Sequence, residues 1–295
     1  MTRTLVAEAQ AKVNLVLEVL GRRETHHDIL SIAQTISLHD KLTFEADGEI
    51  ALTCNQPSLL EDNLVLKAAN LLKERAHVDA GARIHLDKRI PWGAGLGGGS
   101  SDAAATLSAL NSLWGCNLPQ EVLAQLGAEL GSDVPLFLLG GTVLLEGRGD
   151  TATALPQMQE KHLVLLVPGS VGMPKKTGAL YGKLDQTRFT RGQFVRAAVF
   201  ALEKSGAAPE DLMYNAFENA AFEYFPRLRD DYEAFVQTAG CRVHLAGSGP
   251  CLFALFGSAE EAFAMAARLR EARHDVRVAH TTGQSSDTLP RPDMP

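Results

Sequence analysis

The chain has 295 residues, 45% of them hydrophobic, and a formal net charge of −7 at pH 7. That length can bury one large core or two moderate ones. The acidic balance argues against a nucleic-acid partner, because a phosphate backbone is met by a basic face.

In chain order, short β-type runs come first, at Thr4–Ala7, Val13–Leu20, Lys41–Ala46 and Glu49–Thr53. A helix is predicted from Asp62 to about Ala76, with Leu64, Leu66, Ala68, Ala69, Leu71 and Leu72 on its apolar face. Arg83–Leu86 reads as a strand, followed by a glycine-rich stretch and a helix through Leu107, Leu110 and Leu113. A second helix is expected over Pro119–Leu130, before the punctuation Gly131-Ser132-Asp133-Val134-Pro135 and an apolar run at Leu136–Leu139. Composition shifts around Leu155–Lys161, which places a domain boundary there. His162–Val167 has a buried-strand pattern, and helices are predicted near Gly192–Lys204, Asp211–Phe225 and Pro226–Thr238. Strands at Arg242–Ala246 and Cys251–Phe256 flank Gly247-Ser248-Gly249-Pro250, and a helix at Ala259–Ala272 leads to a strand at Val276–His280. The segment from Gly283 to Pro295 is Ser-, Asp- and Pro-rich and is expected to be disordered. Strands and helices mix without strict βαβ alternation, so the class is α+β.

The four cysteines (Cys54, Cys116, Cys241, Cys251) show no Cys-x-x-Cys spacing, which points to reduced thiols and away from a zinc site. No stretch approaches about 20 uninterrupted apolar residues, and the first residues lack a long apolar segment. A soluble, cytoplasmic chain with no membrane partner is expected, as a monomer or weak homodimer.

Residues 91–106 carry the chemistry. Gly93, Gly95, Gly97, Gly98 and Gly99 fall within seven positions, followed by Ser100 and Ser101 and an alanine-rich run at helical spacing. Glycine loses more conformational entropy on ordering than other residues, so such a run is retained where backbone must approach a ligand closely. A Gly-rich loop entering a helix N-terminus presents unpaired N–H groups and the positive end of a dipole, which suits phosphate. Taken alone the stretch also reads as a flexible linker before a helix capped by Ser100 or Ser101. No Gly-Lys-Ser/Thr closes it, so it is not a Walker A loop. Nor does it sit in the first turn of a βαβ unit, where a dinucleotide fingerprint belongs.

The stretch resembles the Pro-x-x-x-Gly-Leu-Gly-x-x-Ser-Ser loop of the GHMP kinases. That resemblance implies a two-domain fold: a ribosomal-protein-S5-like ATP-binding domain over residues 1–158, and a ferredoxin-like α/β sandwich over 159–282 before the tail at 283–295. It implies ATP and Mg²⁺ as cofactors, a small-molecule substrate, and a phosphate cradle from Pro91, Gly93, Gly95, Leu96, Gly97, Gly98, Gly99, Ser100 and Ser101. Asn63, Leu64 and Val65, in Asp62-Asn63-Leu64-Val65, resemble the segment bordering the adenine pocket.

Gly131-Ser132-Asp133-Val134-Pro135 resembles the branch of that family that phosphorylates 4-diphosphocytidyl-2-C-methyl-D-erythritol, where the Asp is the catalytic base. Read on its own, Asp133 is an ordinary helix N-cap. Ala11-Lys12-Val13-Asn14-Leu15 resembles the segment that sets a lysine beside the base and transferred phosphate, with the asparagine on substrate; Lys12 and Asn14 carry those roles. Gly247, Ser248 and Gly249 resemble the family's third glycine motif, though alone they read as a hairpin turn. His27 matches a base-recognising histidine, and His26 stands where the branch has a stacking tyrosine; as a pair they also read as a solvated surface feature. Thr177 and Tyr181 resemble the stretch that closes over the cytidine, with Lys175 and Lys176 either near a diphosphate or in solvent. The implied reaction is ATP-dependent phosphorylation of the substrate's 2-hydroxyl on the methylerythritol phosphate route. Another small-molecule kinase of the family, such as a homoserine kinase, and a non-catalytic ATP-binding sensor are the rival readings.

Overall fold

The computed structural model describes residues 4–24, 26–171, 176–184, 186, 189–284 and 291–292. The first half builds β1 (Thr4–Arg22), β2 (His27–Asp47), β3 (Ile50–Cys54), α1 (Leu64–Ala76), β4 (Gly81–Asp87), α2 (Gly98–Leu113), α3 (Gln120–Leu130), α4 (Val134–Leu139), β5 (Thr142–Gly147) and β6 (Thr151–Ala154). The second half builds β7 (His162–Val167), α5 (Lys176–Gly182), α6 (Gln193–Ser205), β8 (Tyr214–Asn215), α7 (Glu218–Tyr224), α8 (Leu228–Ala239), β9 (His244–Leu245), β10 (Leu252–Phe256), α9 (Ala259–Glu271), β11 (Asp275–His280) and β12 (Arg291–Pro292). Among the described residues no helix is long and apolar enough to cross a membrane.

One sheet runs β12-β1-β2-β4-β3, with β5 also on β2, β6 on β5, and β8 parallel to β1. The other is an antiparallel sheet, β11-β7-β10-β9. β2 is long enough to serve two partners, β4 through residues 41–47 and β5 through 29–34. A shared core joins the sheets: Ala11 and Val13 of β1 and Ile32 of β2 pack with Leu163, Leu165 and Phe253 of the second sheet. The first sheet thus ends its N-terminal run at Ala154, and the second begins at His162, within one continuous apolar interior.

Three departures from the expected elements have local causes. β1 is one continuous strand rather than two, because Ala9 and Ala11 keep the inward face buried through its polar middle. The N-terminal part of β2 lacks polar–apolar alternation because Ile29–Ile36 is buried on both faces. Its buried Ser31, Gln34 and Thr35 find partners across the fold: Ser31 donates to the Val16 carbonyl, Gln34 to Thr35 and Thr282, and Thr35 accepts from the Gly141 amide. Finally, Asp211–Phe225 is not one helix. Asn215 donates to the carbonyls of Leu245 and Gly247 and accepts from the Phe217 amide, holding the chain extended as β8 before α7 starts at Glu218.

Of the tail expected to lack structure, Gln284 bridges Gly140 and Arg291–Pro292 pair with β1 at Val6 and Leu5. Lys175 lies outside the described residues, and of Lys176 only the backbone, opening α5, is described.

Candidate functional site

The glycine loop enters α2 earlier than Ser100. Gly97, at φ 75°, is the N-cap, and Gly98 is the first helical residue. Neither serine caps the helix. Left-handed backbone is strained for any residue with a Cβ, so Gly97 can start the helix without side-chain help. The first intrahelical acceptor is the Gly97 carbonyl, taken by the Ser101 amide at 3.0 Å. The amides of Gly98, Gly99 and Ser100 therefore lie ahead of the hydrogen-bond ladder, at the positive end of a 16-residue helix.

The second half of the chain closes over this loop. The Cys251 amide donates to the Ala94 carbonyl at 3.0 Å, and the Lys12 amide donates to the Leu96 carbonyl at 2.9 Å. A Cβ on Gly95 (φ 91°) would stand 2.2 Å from the Ala246 carbonyl oxygen and 2.8 Å from the Gly249 nitrogen. A Cβ on Gly247 would stand 2.8 Å from the Gly95 oxygen and 3.1 Å from Lys12 Nζ. Bare backbone on both sides is what lets loop and turn meet.

Lys12 and Asn14 project from β1 into the same place, both nearly fully buried. Lys12 Nζ donates to Asn14 Oδ1 at 2.7 Å, and Asn14 Nδ2 donates to Ser31 Oγ at 2.8 Å. That relay fixes the ammonium, which lies 3.5 Å from Asp133 Oδ2. Asp133 is the N-cap residue of α4, yet its side chain makes no capping bond and stays about a third exposed.

These groups share one cavity of about 430 Å³. Its wall includes Lys12, Asn14, Leu64, Pro91, Gly93, Gly95 to Ser100, Asp133, Thr177, Tyr181, Gly247 and Ser248. Thr177 Oγ1 and Ser248 Oγ lie 3.1 Å apart, so α5 meets the turn at the rim.

Some expected residues lie elsewhere. Asn63 caps α1, accepting from the Val65 amide at 2.9 Å and donating to the Leu59 carbonyl, and Val65 is fully buried beneath it. Ser101 points away from the cavity, into a second hollow between β1 and α2. Gly249 supports the turn against Leu245 instead of facing the cavity. His26 sits 3.3 Å from Asp28, whereas His27 stacks on Tyr181 with ring centroids 4.6 Å apart. His27 and Tyr181 therefore form a stacked ring pair, of which only the tyrosine lines the cavity. Burial, then the charges of Arg22 and His26, lower the His27 pKa below the ordinary histidine value. Burial and the Asp133 carboxylate push Tyr181 up to about 12.

Sequence reasoning missed several residues of this region. Arg148, at the tip of the β5–β6 hairpin, lines the cavity with its guanidinium held by Asp150 at 2.8 Å. Trp92 lines it half-exposed. Behind the loop, Lys88 is buried between Asp40 and Asp102, 2.8 Å from the latter. Asp40 also accepts the Ile90 amide, tying the strand before the loop to this cluster. One oxygen of Asp102 has no partner.

Burial raises the Asp102 pKa to about 7, against the opposing pull of Lys88. Burial alone would lower the Lys88 pKa, but the two carboxylates outweigh it and raise it. Between the ordinary carboxylate range and about pH 7, folded Asp102 thus holds a proton that the unfolded chain has released. Its contribution to stability is full at low pH and is lost as pH rises through 7. Chemical denaturation across pH 5–8 should show this slope, on the order of a few kcal/mol. Asp102→Asn should flatten it; an unchanged slope would assign it to other groups.

Comparison with known proteins gives the same outline. The family model described as GHMP kinases N terminal domain matches residues 63–141, and that described as GHMP kinases C terminal matches 197–275. A 4-diphosphocytidyl-2-C-methyl-D-erythritol kinase of Dehalococcoides mccartyi is 41% identical over 278 residues, covering 93% of this chain and 97% of its own. One from Prochlorococcus marinus is 39% identical over 272 residues, covering 86% and 85%. A solved 4-(cytidine 5'-diphospho)-2C-methyl-D-erythritol kinase superposes with TM-score 0.80 at 35% identity, over 94% of this chain and 99% of that one. Homoserine kinase from Cytophaga hutchinsonii shares the fold, with TM-score 0.73 at 20% identity over 99% and 98%.

Proposed function

The chain belongs to the GHMP kinases, two-domain α+β enzymes that use ATP, and on that premise we propose that it phosphorylates the 2-hydroxyl of 4-diphosphocytidyl-2-C-methyl-D-erythritol. The reading is carried by one juxtaposition: the buried Lys12 ammonium, 3.5 Å from an uncapped Asp133, at the edge of a helix N-terminus lined with glycine. The relatives' shared name supports the choice of substrate.

In this mechanism Asp133 accepts the hydroxyl proton as the oxygen attacks the γ-phosphorus. The bond from that phosphorus to the β,γ-bridging oxygen breaks, and ADP leaves. Phosphoryl transfer passes through a loose transition state, so positioning and charge stabilisation do most of the work. The amides of Gly98, Gly99 and Ser100 meet the phosphates. Lys12 stabilises charge on the transferred group, and Asn14 keeps the ammonium aimed. Thr177, Tyr181 and Ser248 border the acceptor's side, and the His27 ring supports Tyr181 from behind.

Mg²⁺ fits this donor set as a nucleotide-borne ion. Among the described residues no group of three His, Cys, Asp or Glu could hold a metal, whereas the Ser100 hydroxyl on the cavity wall is a hard oxygen beside the phosphates. When bound, the ion would neutralise phosphate charge.

The test offers ATP with the cytidyl alcohol and with homoserine, and follows ADP release. Faster turnover of the cytidyl alcohol is expected. Faster turnover of homoserine would overturn the substrate assignment.

A further inference from the structure

Trp92 is the second residue of the glycine-rich stretch, and the residue is 51% exposed. Large apolar side chains left in water forfeit the gain of burial. Among the described residues the other strongly exposed ones, Phe200 on α6 and Phe263 on α9, stand away from the cavity; Trp92 lines it.

The cavity has a direction. Leu64 Cδ1 would lie 3.7 Å from a Cβ on Gly99, and Ile90 Cγ2 3.1 Å from one on Gly98, so Leu64 and Ile90 mark one end, and Trp92 follows Ile90 in the chain with only Pro91 between them. Gly97 adjoins Lys12, which leads to Asp133 and then to Tyr181 at the other end. If phosphates lie on the amides between these ends and the acceptor hydroxyl lies by Asp133, the nucleotide's base falls at the Trp92 end.

We infer that Trp92 is the stacking platform for the purine of the phosphoryl donor, its ring covering one face of the base. This rests on the nucleotide reading of the cavity given above. A π-face binds any purine, so the indole supplies affinity, with little power to tell adenine from guanine.

The chain has two tryptophans. Trp114 packs against the core and donates to the Gly81 carbonyl at 3.1 Å, away from the cavity. Trp114→Phe therefore leaves Trp92 as sole reporter. Titrating that protein with ADP should quench its fluorescence, whereas inorganic tripolyphosphate should leave the signal nearly unchanged. Trp92→Ala should raise the ADP Kd about tenfold, the effect of losing one base–aromatic stack. Trp92→Phe should restore most of that affinity, and neither variant should shift the tripolyphosphate Kd or the alcohol's KM more than twofold. Unchanged ADP affinity in Trp92→Ala overturns the inference, as does an equal loss for ADP and tripolyphosphate, which would make the indole a support of the loop. A fluorescence change that follows protein concentration instead of ADP also overturns it, marking a contact between copies. Because binding is read without turnover, ADP binding through Trp92 with no phosphorylation of the cytidyl alcohol would sink the substrate assignment alone.

Discussion

Asp133→Asn is expected to lower turnover by about a thousandfold, within the range for removing a positioned general base, while ADP binds as in the parent. The side chain is free to do chemistry because it does nothing else in the fold. It caps no helix amide, and among the described residues its one close cationic partner is Lys12 at 3.5 Å. Asparagine matches its shape and keeps the entry into α4, so folding stability should barely change. What disappears is the oxygen that takes the hydroxyl proton, and with it one half of the charge pair that orients Lys12. The loss should therefore fall on kcat, with little change in KM for ATP. Turnover within threefold of the parent would remove Asp133 from the mechanism.

Gly95→Ala is expected to be nearly as damaging, through the backbone. The residue sits at φ 91°, and its new methyl carbon would meet the Ala246 carbonyl oxygen at 2.2 Å and the Gly249 nitrogen at 2.8 Å. Both obstacles are main chain, and the turn they belong to is pinned by Asn215. Loop and turn would have to separate, pulling the phosphate amides and Lys12 out of register. Left-handed backbone alone costs about 1–2 kcal/mol, and the clash adds a comparable amount. Denaturation should report a loss of ~3 kcal/mol, with kcat/KM for ATP down at least a hundredfold. Gly99→Ala is the contrast for stability: its methyl carbon would make only an ordinary 3.7 Å contact with Leu64, within a helix. That change should leave stability level or raise it by up to ~1 kcal/mol. Equal losses for both would show that the loop is intolerant of any side chain and that the Gly95–Ala246 approach is not the cause.

What could be read directly from the sequence was chemistry carried by local residue patterns. The glycine run, Lys12 with Asn14, Asp133 before a proline, and Gly247 to Gly249 each announce a backbone or charge arrangement within a few residues. Their convergence on one cavity follows from topology: β1 delivers Lys12, α4 delivers Asp133, and the β9–β10 turn delivers Gly247. Illegible features were those settled by distant partners. β2 hides its first half because it is buried on both faces, with Ser31 and Gln34 satisfied by residues far along the chain. Asn215 breaks a helical pattern for the sake of two carbonyls about 30 residues away. Ser101 looks like part of the cradle, but the helix starts at Gly98 and turns its side chain to the opposite face. The Lys88 cluster draws its three members from β2, the loop approach and α2, a grouping no spacing reveals. His26 and His27 could not be ranked by adjacency alone; His27 opens β2 and stacks on Tyr181, whereas His26, just before the strand, meets Asp28.

The most direct measurement is the ³¹P NMR spectrum of the product formed from ATP and 4-diphosphocytidyl-2-C-methyl-D-erythritol. A new phosphomonoester resonance, coupled to the substrate's branched carbon framework at C2 and growing in step with ADP, is the predicted result. A phosphate on another oxygen, or ATP consumed to ADP and free phosphate with the alcohol unchanged, would contradict the account.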